Sequence, residues 1–246
     1  GGSATIKVIG DTAASVTGAI TTTSTDGDDS FIQVYDHDGG APAVMTFTAA
    51  IGTSNNKIGT LQVGGLTSDA GSGNFNGDVN VTNLIVAAGT VTSESSLAAF
   101  AGDVNATTVT LNDTSASLQA TLELDTTASK TLTATIDGAA DNEGILKISG
   151  ATKTVTGVVG GTFDLDALDL DATSVFNSAV SAKGANLANG IATTMKGDIT
   201  MGTDKFVLND ATAELILAGT AAQTITGEIA GSGAETGVID VTNTAG

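Results

Sequence analysis

Apolar and polar positions alternate through most of this chain, and the stretch 130–159, KTLTATIDGAADNEGILKISGATKTVTGVV, shows the pattern at its clearest. A large apolar residue is followed two positions on by a small one, and two further on by a β-branched aliphatic: Leu132, Ala134, Ile136, then Val155, Gly157, Val159. Residues two apart share a face of a strand, so each unit predicts a strand with large, small and branched side chains on one side. The same unit occurs at Val16-Gly18-Ile20, Phe47-Ala49-Ile51, Phe75-Gly77-Val79, Phe100-Gly102-Val104, Phe176-Ser178-Val180, Met195-Gly197-Ile199 and Ile225-Gly227-Ile229. Successive units start 19 to 32 residues apart, about 26 on average, which is a solenoid period.

A second apolar strand follows most units, as in Phe31-Ile32-Gln33-Val34, Leu84-Ile85-Val86 and Phe206-Val207-Leu208. Gly, Asn, Asp and Ser lie between strands and supply the turns. One coil cannot bury its inward face alone, and a neighbour above and below completes it. The expected fold is therefore all-β: a parallel β-solenoid (β-helix) of about nine coils, one domain over residues 1–246. The crossover rule favours a right-handed coil. Phe47, Phe75 and Phe100 should form one interior column about 4.8 Å apart. Four coils make a longer repeat, with starts near 16, 132 and 225.

Three local readings go with this. SESSLAAF, 93–100, is the best candidate for a helical turn. In DLDALDLD, 164–171, alternation slips at Ala167-Leu168, which reads as a turn between two strands. The single proline, Pro42, belongs in a loop, because inside a sheet it would remove a ladder hydrogen bond.

Composition narrows the function. Net charge is −19, and the eight basic residues are all Lys. Nucleic-acid binding requires cations that displace counterions, and anionic membranes make the same demand, so neither is an expected partner. No apolar run is long enough to span a bilayer as a helix. Without Cys there is no thiol nucleophile, thiolate metal site or disulfide. The chain opens with GGSATIKV and closes with GVIDVTNTAG, inside the pattern at both ends, and reads as an internal or processed segment.

Candidate chemistry is sparse. His37 is flanked by Asp36 and Asp38, which point away from it in an extended chain, so it reads as a solvated loop residue rather than part of a triad. Asp164, Asp166, Asp169 and Asp171 invite comparison with paired carboxylates that cleave polysaccharides, but aromatic sugar platforms are scarce: no Trp and one Tyr. Calcium is the one candidate cofactor. Asp26, Asp28, Asp29, Asp36 and Asp38 crowd one Gly-rich region with hard oxygen donors. Asp78 and Asp103 occupy equivalent outward positions of neighbouring coils, as do Asp198 and Glu228, and either splay into water or share a cation. Thr-X-Thr pairs such as Thr131/Thr133 and Thr224/Thr226 follow from the ordinary β-propensity of Thr.

The runs TITGEIAGSGAETGVIDVTNTAG, FNGDVNVTNLIVAAGTVT and KTVTGVVGGTFDLDALDLDATSVFNSAVSA resemble the tandem repeats of large bacterial surface proteins. These are the β-solenoid passengers of autotransporter-type adhesins and some S-layer or sheath proteins. The resemblance implies an exported protein at the cell surface that acts by shape, by self-association or by adhesion. Its partners would be copies of itself, end to end or side by side, and cell-surface polysaccharide. It carries over no catalytic residue. The expected role is a structural block of a surface layer, sheath, filament or matrix; an adhesin stalk is the alternative, and a polysaccharide-active enzyme a third.

Overall fold

The computed structural model describes residues 4–23, 29–36, 41–65, 69–89, 94–113, 115, 117–233 and 237–242. Strand accounts for 58% of the described residues, the sheets are parallel, and they stack as a β-solenoid of about nine turns. No helix occurs among the described residues. The chain divides into two compact units, Gly1–Glu123 and Leu124–Gly246.

In the first unit the strands are β1 (Ala4–Ile9), β2 (Ala14–Val16), β3 (Ser30–Tyr35), β4 (Val44–Phe47) and β5 (Ile58–Val63), then β6 (Ser72–Phe75), β7 (Val79–Ala87), β8 (Ser96–Phe100) and β9 (Val104–Asn112). Strand β10 (Ala120–Thr126) spans the boundary. Even-numbered strands stack on one another in register, Val16 beside Phe47, Phe47 beside Phe75, Phe75 beside Phe100. The three rings form the expected interior column: centroids 4.9 and 4.8 Å apart, planes within 12° and 14° of parallel. Strand spacing alone brings like rings to stacking distance. Odd-numbered strands build a second ladder, in which Ile6, Ile32, Leu61, Leu84 and Val109 follow one another.

In the second unit the strands are β11 (Lys130–Gly138), β12 (Ile145–Gly150), β13 (Lys153–Val155), β14 (Leu165–Leu170), β15 (Ser174–Phe176) and β16 (Val180–Leu187). They continue as β17 (Ala192–Met195), β18 (Ile199–Leu208), β19 (Glu214–Leu217), β20 (Ile225–Thr226), β21 (Ile229–Gly231) and β22 (Val238–Val241). One column runs Leu132, Val155, Phe176, Met195, Leu217, Val241. Another runs Leu146, Leu168, Ala185, Phe206, Ile229, with the large ring next to the smallest residue.

The repeated unit is a corner rather than a straight strand. Phe75 ends β6, Gly77 sits in the bend, and Val79 begins β7; the units at Phe100, Phe176 and Met195 repeat this, and in those at Val16, Phe47 and Val155 the third residue makes a single bridge after the bend. The small middle residue is required by the preceding coil: a Cβ on Gly77 would overlap the backbone of Ala49, and one on Gly102 the backbone of Gly77. Only Leu132-Ala134-Ile136 lies within one uninterrupted strand, β11, with all three side chains buried. The last unit is offset as well, because Ile225 lies beside Ile199, the third position of the preceding unit, rather than beside Met195.

Two local readings are corrected. Ser96–Phe100 of SESSLAAF is strand β8, not a helical turn: Ser96, Ala98 and Phe100 face inward, and pairing with β6 outweighs the helix propensity of Leu and Ala. The alternation slip in DLDALDLD is not a turn between strands. Strand β14 runs through it, and the N–H groups of Asp166 and Ala167 both donate to the Gly144 carbonyl, so a bulge resets the parity. Pro42 lies in the loop before β4, as expected.

Candidate functional site

Two of the carboxylates proposed as ligands, Asp78 and Asp103, lie at corners. Asp78 and Asp103 occupy successive corners of the first unit, and the backbone N–H of Asp103 donates to Asp78 Oδ1 at 2.9 Å. Thr162 N–H donates to Asp137 Oδ1 at 2.9 Å, and Thr224 N–H to Asp198 Oδ1 at 2.7 Å. Each aspartate thus satisfies a backbone donor one coil further on. Donation to an ionised acceptor is the stronger kind of hydrogen bond, and it explains how acidic residues sit on neighbouring coils. Asp29 is exposed and Asp36 is buried, its N–H bonded to the Ala70 carbonyl. Asp26, His37, Asp28 and Asp38 lie outside the described residues. Among the described residues no three His, Cys, Asp or Glu side chains gather closely enough to hold a metal ion.

The DLDALDLD carboxylates are dispersed to different partners. Ser181 Oγ donates to Asp164 Oδ1 at 2.5 Å. Lys183 Nζ lies 3.1 Å from Asp166 Oδ1 and 2.9 Å from Asp204 Oδ2, and Lys147 Nζ lies 3.9 Å from Asp171 Oδ2. The hydrogen bonds that Lys183 donates to Asp204 and Asp166 raise its pKa, and Lys183 holds Asp204 below its usual value. Asp210 is also lowered, first by the Thr212 hydroxyl. Two concavities flank these groups. One of about 380 Å³ is lined by Asp164, Ser181, Asp198 and Thr200; one of about 200 Å³ by Asp166, Asn186 and Asp204. Asp164 and Asp166, adjacent in the pattern, therefore serve separate concavities.

The polar faces form ladders across coils. Asn105 Nδ2 donates to Asn80 Oδ1, Lys57 Nζ to Asn105 Oδ1, and Thr108 Oγ1 to Asn83 Oδ1. Inside the second unit, Lys153, Ser174 and Thr193 form a polar column, each with no exposed surface. Lys153 Nζ donates to the carbonyls of Thr126, Ala128 and Ala151 at 2.6, 3.2 and 2.8 Å. Burial lowers the Lys153 pKa, opposed by the charge of Asp125. The hydroxyls of Ser174 and Thr193 bond one another at 2.9 Å. Sequence reading had not singled out this column, although Lys153 has the same parity as the inward Val155.

No protein-family model, curated protein or solved structure matches this chain.

Proposed function

We propose that the protein is a structural block of an extracellular layer, sheath, filament or matrix and works by associating with copies of itself. The observation that carries this reading is the stacked coil. The same parallel pairing that joins one coil to the next within each unit is available at an open strand edge to a strand from another molecule. Ladders of Asn, Thr and Asp give the outward face a polar surface that suits solvent or polysaccharide. The −19 charge disfavours side-by-side contact until cations screen it, so axial contact dominates at low salt.

The test is electron microscopy and sedimentation of the native protein over a range of concentration, with and without calcium. Linear or layered assemblies that grow with concentration are expected. A monomer under every condition would overturn the reading.

A further inference from the structure

Resting on the self-association reading, we propose that β22 of one molecule pairs in parallel with β1 of the next, in one register: Val238 beside Thr5, Ile239 beside Ile6, Asp240 beside Lys7, Val241 beside Val8. Among the described residues β1 pairs with β3 alone and β22 with β19 alone, so no described strand takes the other edge of either. Both carry large apolar side chains that a neighbouring strand would cover. Ile6 and Ile9 are 43% and 48% exposed, and Val238, Ile239 and Val241 are 48%, 46% and 66% exposed.

The two edges match residue by residue. In β1, Ile6 and Val8 stack beside the buried Ile32 and Val34, which makes them the inward pair. In β22, Ile239 and Val241 stack beside the buried Leu215 and Leu217. TIKV and VIDV thus share parity, aliphatic over aliphatic inside. The residue between the inward pair is Lys7 in one and Asp240 in the other. Neither makes an ion pair with another described residue. In the proposed register the two lie about one strand spacing apart, roughly 5 Å.

Charge also selects the mode. Pairing β1 with β1, or β22 with β22, brings like charges towards one another, whereas β22 with β1 brings opposite ones. A slip of one residue turns the aliphatics outward. A slip of two keeps parity but loses the Lys7–Asp240 pair. A lysine on an edge strand ordinarily blunts pairing of any kind, and here the matching aspartate makes the edge selective.

The experiment is charge reversal read by sedimentation velocity at low salt. Lys7→Glu and Asp240→Lys should each weaken self-association about tenfold, the effect of turning a solvent-screened attraction at 5 Å into repulsion. An equimolar mixture of the two variants, or the doubly reversed chain, should restore it, because every junction then joins opposite charges. The protein has no cysteine, so a second readout fixes the register. Oxidation of the double variant Lys7→Cys, Asp240→Cys should give a ladder of disulfide-linked oligomers, and Ile9→Cys, Asp240→Cys, displaced by two residues, should not. If the wild type associates but ignores both reversals, or the displaced pair cross-links better, this pairing is overturned and self-association stands. If the wild type stays monomeric throughout, both readings fall.

Discussion

In the first unit, one interior column repeats phenylalanine in three successive coils; in the second, the column Leu132, Val155, Phe176, Met195, Leu217 has no two neighbours alike. The first column lies on the ladder of even-numbered strands and the second on the ladder of odd-numbered ones, and both are parallel and in register. Repetition of one ring type lets the coil rise itself set the stacking geometry, and nothing needs to adjust from coil to coil. A mixed column must instead fit volumes pairwise, as Phe206 does beside Ala185. The second unit also admits a polar column of Lys153, Ser174 and Thr193, whose groups are satisfied internally. A coil stack thus specifies inwardness and size at each position, while chemical type is open wherever hydrogen bonds can be completed.

The largest test of this contrast is removal of a ring from each column. Phe75→Ala should cost about 3–5 kcal/mol through the lost side chain and its cavity. Phe176→Ala, between Val155 and Met195, should cost less by about 1–3 kcal/mol, the worth of two ring–ring contacts. Urea midpoints followed separately for the two units by hydrogen exchange decide it, and equal losses would mean that the stack adds nothing beyond burial.

Next comes the polar column. Lys153→Met should destabilise the second unit by about 3 kcal/mol, because the carbonyls of Ala128 and Ala151 lose a buried donor. The pH dependence has a definite sign. Burial lowers the folded pKa of Lys153, so between that value and the unfolded lysine value of about 10.4 the unfolded chain binds more protons. The stability of the wild type should therefore rise relative to Lys153→Met as pH climbs through that window, which pH-resolved urea titration measures.

Smaller still is the comparison of corners. A Cβ on Gly157 would overlap the Ala134 carbonyl, whereas one on Gly18 meets nothing within 4 Å. Gly157→Ala should cost about 1–3 kcal/mol, and Gly18→Ala should stay within about 0.5 kcal/mol. The smallest effect belongs to the partly exposed Lys183 bridge: Lys183→Met should move the urea midpoint barely, and less at high salt. Acid reads the same contact from the other side. The depressed pKa of Asp204 gives a contribution present above the unfolded carboxylate value and lost as pH falls through the folded one.

The fold was largely legible because period-two alternation and a repeated large–small–branched unit leave few arrangements other than stacked parallel strands. The Phe column followed directly. The corners did not, because residues two apart point inward both along a straight strand and across a bend; only the coil below, with Ala49 under Gly77, distinguishes them. Ser96–Phe100 was obscured by a helix-like composition, and β14 by a bulge that changes parity without ending the strand. Lys153 was hidden by its type, since hydropathy places lysine outside while parity with Val155 places it inside. The aspartate-to-backbone bonds depend on how coils pair, which one-dimensional spacing does not contain.

The enclosed amine of Lys153 gives this protein an internal reporter. The chain has eight lysines, and its nitrogen is occupied by three carbonyls behind a side chain with no exposed surface. An amine-directed reagent can modify it only when its coil opens, so its labelling rate follows the local opening equilibrium. Mass spectrometry of a timed acylation would then measure how often this part of the second unit comes apart, without any engineered probe.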